Sequence, residues 1–186
     1  MIPDTDRWRG FAALLPPADA EYVEDCVSIG EQEAALGRLV AGLLEHRPAI
    51  SEAEWATIAA TAEAWDTWPA LGPGLTRCLD LCGGGTSLTV IGDSDADALP
   101  GSAVADGPLL AELHLVPWIG CARCEAVLAR AHRREPWGGL SHLAAGYVVL
   151  APHRAAPARV HGPEAVDEAV AALRAVCGGE HGPAAR

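Results

Sequence analysis

Two cysteine pairs hold the residues most able to do chemistry in this chain, Cys78-x-x-x-Cys82 and Cys121-x-x-Cys124. Four thiolates suffice for a closed tetrahedral zinc site, and the 38 residues between the pairs require only that two hairpin-like regions meet. In that reading Cys78, Cys82, Cys121 and Cys124 are the metal ligands, with sulfurs within about 4 Å of one another. The second pair has another option. It follows Pro117-Trp118-Ile119-Gly120 at an expected strand-to-helix junction, where the positive end of a helix dipole favours the thiolate needed for disulfide exchange. Cys121 is then the nucleophile and Cys124 the resolving thiol. In a third reading each cysteine is a small buried hydrophobe, as expected of Cys26 and Cys177 on apolar helix faces. Spacing alone leaves all three open for the two pairs.

Other constellations carry less. Leu113 to Ala131, read as a strand, a proline, C-x-x-C and an Ala-rich helix, resembles the second half of a zinc-deaminase signature. The His-x-Glu half is missing, because Arg47-Pro48 follows His46 and Leu115-Val116 follows His114. Without that general acid/base the chemistry has no proton carrier. Gly83-Gly84-Gly85 precedes an expected strand and has no lysine, so it reads as a turn and not as a phosphate cradle. Asp93, Asp95 and Asp97 lack the glycine and distal glutamate of an ion-binding loop, and Ser141-His142 has no acid in register.

The elements around these residues are announced by composition and period. Among 186 residues, 25 acids face 13 bases, all of them Arg, for a formal charge of −12. That balance excludes a free-standing nucleic-acid binder. No apolar run approaches the roughly 18 residues of a membrane span, and no cationic stretch leads into an apolar segment at the N-terminus, so the expected location is cytoplasmic. Residues 1 to 70 hold 13 of the acids and 4 Arg, which concentrates the charge in the N-terminal third.

That third has helical spacing. Tyr22, Val23, Cys26 and Val27 recur on one side of a segment from Asp19 to Ser28, and Leu36, Leu39, Val40, Leu43 and Leu44 form a stripe from Glu31 to Glu45. Ser51 with Glu54 makes a capping box, flanked by Ile50 and Trp55 as a hydrophobic staple, for a third helix from about Glu52 to Asp66. Past the Pro/Gly-rich stretch at Trp68 to Gly74 the period becomes mixed. Strands are expected at Thr86 to Ile91, Leu110 to Val116, Tyr147 to Leu150 and Ala158 to His161, with Gly92 to Pro108 as a long loop. Helices are expected from Cys121 to Arg134 and from Pro163 to Gly178, the latter burying Val166, Ala169, Val170, Leu173 and Cys177. Of six Trp, Trp55 and Trp65 read as core, while Trp8, Trp68, Trp118 and Trp137 fall in expected loops.

Two resemblances add to this. Tyr22-Val23, Glu31, Ala35-Leu36 and Leu39, followed by Leu43, Glu45, Ile50-Ser51, Ile58 and Trp65, resemble the small helical immunity proteins of the MafI type. The resemblance implies binding to a toxin and neutralising it. The C-x-x-C segment resembles the active-site turn of thioredoxin-like domains, with an aromatic shortly before the pair.

The expectation is an α+β protein. An acidic three-helix unit (1–72) packs on an α/β unit (73–179) with a small antiparallel or mixed sheet and two further helices, and 180–186 form a tail. Its leading function is non-enzymatic: an acidic binding protein that covers a basic protein partner such as a nuclease toxin, with no direct nucleic-acid or membrane contact. Glu21, Glu24, Asp25 and Glu45 are the expected rim contacts, and Trp8 and Trp68 the apolar anchors. The alternative is a thiol-redox or zinc-dependent accessory enzyme using Cys121 and Cys124.

Overall fold

The computed structural model describes residues 5–83, 86–91, 98–101, 110–151 and 159–178. The expected loop at 92–108 lies mostly outside these residues, as do the Asp93, Asp95 and Asp97 run, the side chain of Cys177 and the tail. The fold class is α+β, with helices in the first half and an antiparallel sheet in the second. The chain divides into two compact units, Met1–Thr86 and Ser87–Arg186. No helix among the described residues is long and apolar enough to cross a membrane.

Among its described residues the first unit has five α-helices, two more than expected: α1 (Thr5–Ala12), α2 (Pro17–Ser28), α3 (Gln32–His46), α4 (Glu52–Ala64) and α5 (Trp68–Cys78). Local signals set their ends. Pro17 opens α2 without sacrificing a hydrogen bond, and Gly30 takes φ +88° in the turn to α3. Arg47 closes α3 in the left-handed region, and Pro48 prevents its continuation. The capping box is complete, with Ser51 N–H donating to Glu54 Oε2 at 2.6 Å and Glu54 N–H donating to Ser51 Oγ at 3.1 Å.

The stretch Trp68 to Gly74, expected as a boundary, is instead the start of α5. Pro69 sits in its first turn, where the missing N–H costs nothing. Its glycines permit close packing: a Cβ on Gly74 would stand 2.8 Å from Val40 Cγ1 on α3. Trp55 Nε1 donates to the Leu75 carbonyl at 2.8 Å, tying α4 to α5 through a fully buried indole. Trp8 and Trp68, expected in loops, are helical and buried.

In the second unit, β1 (Leu88–Val90), β2 (Leu99–Pro100), β3 (Leu113–Cys121), β4 (Val127–Arg133), β5 (Gly146–Leu150) and β6 (Arg159–His161) form one antiparallel sheet, and α6 (Val166–Gly178) follows. Its order is β1-β3-β4-β5-β6, with β2 also pairing β3. The pairing shifts by one residue between Pro117 and Ile119 on β3. Trp118 lies at that bulge, with the Arg130 guanidinium carbon 4.6 Å from its ring centroid. A core cluster joins Leu110, Leu115, Ala129, Ala131 and Val148.

The expected helix from Cys121 to Arg134 is overturned: β4 occupies its place. Ala and Arg favour helix locally, but the segment pairs with β3 on one side and β5 on the other. Burial of six of its seven residues to at least an intermediate degree erases the alternation that marks a half-exposed strand.

Candidate functional site

The acids expected at a rim all stand on the surface of the first unit. Glu21, Glu24 and Asp25 are exposed on α2, and Glu45 is exposed on α3. At 3.6 residues per turn, Glu21, Glu24, Asp25 and Ser28 fall within an arc of about 100°, opposite the buried Val23. One border of this acid arc is apolar. Tyr22 and Ile29, 52% and 75% exposed, are seven residues apart and so lie on one line along the helix.

Beyond that line lies a cleft of about 570 Å³ lined by Ala18, Asp19, Tyr22, Ala34 and Arg38. Its floor holds a charged clasp between the two helices. Asp19 is buried in the first turn of α2, and Arg38 from mid-α3 donates to its Oδ1 through Nη2 and, at 3.1 Å, through Nε. His46 Nε2, in the last turn of α3, is 2.8 Å from Asp19 Oδ2. The Arg38 hydrogen bonds, followed by that of His46, hold the Asp19 carboxyl below the usual carboxylate range. Asp19 in turn raises Arg38, with Glu45 adding a smaller contribution of the same sign. The Cys26 thiol beside Tyr22 raises the phenol.

The clasp explains why Tyr22 and Ile29 face solvent. Asp19 and Cys26 occupy the side of α2 turned toward α3, which leaves the neighbouring line of side chains beyond the helix–helix contact. Residue-by-residue reading of the sequence missed Arg38. A signal was available: Arg38 is the sole arginine between Arg9 and Arg47, and a first-turn acid turned toward a neighbouring helix requires a partner.

The cysteine pairs fall in different units, Cys78 and Cys82 in the first and Cys121 and Cys124 in the second. Cys78 ends α5 and Cys82 follows the short 3-10 turn Leu79–Leu81, both buried. Burial pushes the Cys78 thiol up to about 11, against the smaller opposing pull of Arg77. Burial also raises Cys82, with Glu52 and Glu54 adding to the effect. Both are protonated at neutral pH, the state of a packing residue.

The helix start that the thiol-exchange reading required is absent. Cys121 is the last residue of β3, buried and paired with Leu88, and its N–H donates to the Ala126 carbonyl at 2.8 Å. Cys124 is half-buried in the β3–β4 turn, which Glu125 completes at φ +54°. Cys121 ends a strand and Cys124 lies in a turn, so neither stands at a helix N-terminus, the expected source of thiolate stabilisation. Among the described residues no group of three or more His, Cys, Asp or Glu side chains is placed to hold a metal ion.

The apolar anchors expected at Trp8 and Trp68 are likewise corrected. Both belong to the core, and Tyr22 and Ile29 are the large apolar groups that the first unit exposes among its described residues. In the second unit Trp137, as expected of a loop residue, is 78% exposed. The chain matches no protein-family model, no curated protein and no solved structure.

Proposed function

We propose that the first unit is a binding module of the immunity class, and that the α2 surface covers a basic protein partner such as a nuclease toxin. The observation that carries this reading is the placement of exposed Tyr22 and Ile29 along the border of the Glu21, Glu24 and Asp25 arc. An apolar strip supplies contact energy, and an adjoining field of one sign supplies steering. Glu45 extends the negative field from α3. Enzymes that act on nucleic acid are commonly basic, because the substrate is a polyanion, so an acidic cover suits them electrostatically.

The test is protection of cells that produce the toxin encoded beside this gene. The natural chain restores growth and binds that toxin in vitro. Reversing Glu21, Glu24 and Asp25 to Arg slows association by about tenfold to a hundredfold at low salt, an effect that fades as salt rises. Tyr22→Ala weakens the complex by about thirtyfold, the scale of a central aromatic contact of about 2 kcal/mol. Undiminished protection by the charge-reversed protein, or failure of the natural chain to neutralise a neighbour-encoded toxin, refutes the reading.

A further inference from the structure

The connection between β3 and β4 carries two of the chain's six cysteines and folds as a single helical turn. Glu125 N–H donates to the Cys121 carbonyl at 2.9 Å, an i+4 to i bond that goes no further because Glu125 takes φ +54°. Two more bonds fasten the turn. Cys121 N–H donates to the Ala126 carbonyl at 2.8 Å, and Ala122 N–H donates to the Ser87 carbonyl, also at 2.8 Å, at the entry to β1. Side chains three residues apart on such a turn are neighbours, roughly 5 to 6 Å between Cβ atoms. Ser51 and Glu54 show the same spacing at α4, where each side chain reaches the other's backbone. Cys121 and Cys124 are therefore set on one side of the β3–β4 turn.

The two thiols differ in exposure. Cys121 is 3% exposed and Cys124 is half-buried, which makes one an inner and the other an outer sulfur. Among the described residues they belong to no group of three or more His, Cys, Asp or Glu donors. A structural zinc ion takes four ligands in a tetrahedron, so two thiols fall short of it. A soft monovalent ion with a filled d shell is satisfied by two thiolates on opposite sides, and sulfur is the donor that selects it. Coordination itself removes the thiol protons, so this chemistry works without the helix N-terminus that disulfide exchange required.

We propose that the β3–β4 turn chelates one copper(I) ion between the sulfurs of Cys121 and Cys124. Each thiol gives up its proton to solvent and two sulfur–copper bonds form. The ion keeps its oxidation state, so no electron is transferred. Cys124 is the point of entry: its sulfur takes the ion from a soluble thiolate complex, and Cys121 then displaces the departing thiolate. Burial of the inner sulfur keeps water from that side of the ion, which protects the monovalent state. The site lies wholly within the second unit and stands or falls independently of the proposed function.

The reduced full-length chain is titrated with copper(I) without oxygen, against bicinchoninate, whose coloured complex reports the copper left behind. The first equivalent is withdrawn from the dye. The amide resonances of Ala122 to Glu125 shift with it, while those of Cys26, Cys78 and Cys82 stay in place. X-ray absorption counts two sulfurs at the metal. Cys124→Ser and Cys121→Ser each weaken copper binding at least about hundredfold, because one of two thiolates is lost. A Cys78→Ala, Cys82→Ala double variant changes it by less than about twofold, as expected of packing residues. Should a variant fail to fold, the amide shifts and the sulfur count of the natural chain decide. Four results would overturn the proposal: binding that survives Cys124→Ser, binding lost in the folded double variant, a third sulfur at the metal, or first-equivalent shifts that lie away from the turn.

Discussion

The first unit marks most of its helix ends with signals in the flanking residues, whereas the strands of the second are held by partners 7 to 33 residues away. The α4 helix has its own cap at Ser51 and its own first-turn acids, and its buried face is then completed by α5. The turn before β4 carries Glu125 at φ +54°, but that turn does not by itself make the segment extended. Leu128 is held by Ile119 on one side and Val149 on the other, and without both strands the segment has no reason to be extended. Placing an element and holding it can therefore depend on separate residues in the helical unit, while in the sheet the same residues do both.

That contrast can be broken first at the largest side chains. Trp55→Ala should cost the first unit about 4 kcal/mol, measured as a shift in its urea unfolding curve, because it empties a fully buried indole site and leaves the Leu75 carbonyl unpartnered. A loss below about 1 kcal/mol would mean that local signals alone hold the helices. In the sheet, Val148→Ala should cost about 2 kcal/mol and speed amide exchange in both β4 and β6, the two strands that flank it. Exchange confined to β5 would show that the ladder is less coupled than its register implies.

Smaller effects sharpen the comparison. Ser51→Ala removes the acceptor for Glu54 N–H and should cost about 1 kcal/mol, with faster exchange confined to the first turn of α4. Glu125→Gly acts in the opposite sense. The residue occupies φ +54° at the β3–β4 turn, so glycine should stabilise the second unit by about 0.5 kcal/mol, read as a higher unfolding midpoint.

The pH response of the Asp19 clasp completes the series. The folded carboxyl lies below its ordinary value, so its contribution is fully present above the unfolded pKa near 4 and disappears as pH falls through the lower folded value. Asp19→Asn should flatten that acid limb of the stability curve. An unchanged acid limb would show that Arg38 and His46 do not favour the charged form.

How much was readable follows the same division. The helices α2, α3 and α4 were legible because proline, glycine and a capping box stand at their ends, and the stripe of Leu36, Leu39 and Leu43 is buried as its spacing requires. The strands β5 and β6 were legible from β-branched residues at Val148, Val149 and Val160. Helix α5 was hidden by Pro69, Gly72, Pro73 and Gly74, which punctuate a chain in isolation but here serve the first turn and close approach to α3. β4 was hidden by its alanines, whose helix preference yields to pairing on both edges. Of the expected rim, the acids were found on the surface because charge reports exposure well. The tryptophans were misplaced because an aromatic side chain reports only that it requires a large contact.

The offset at Trp118 has a consequence for how the sheet finds its alignment. Below it, β3 and β4 match in one registration from Leu113 opposite Arg133 to Pro117 opposite Ala129; above it, Ile119 opposite Leu128 belongs to the next registration. A rigid slide of β4 by one residue could satisfy either half while breaking the other, much as two scales of unequal pitch coincide at a single setting. The extra residue thus works as a vernier, giving misaligned hairpins an energetic mark that a uniform ladder of small side chains such as Ala129 and Ala131 would lack.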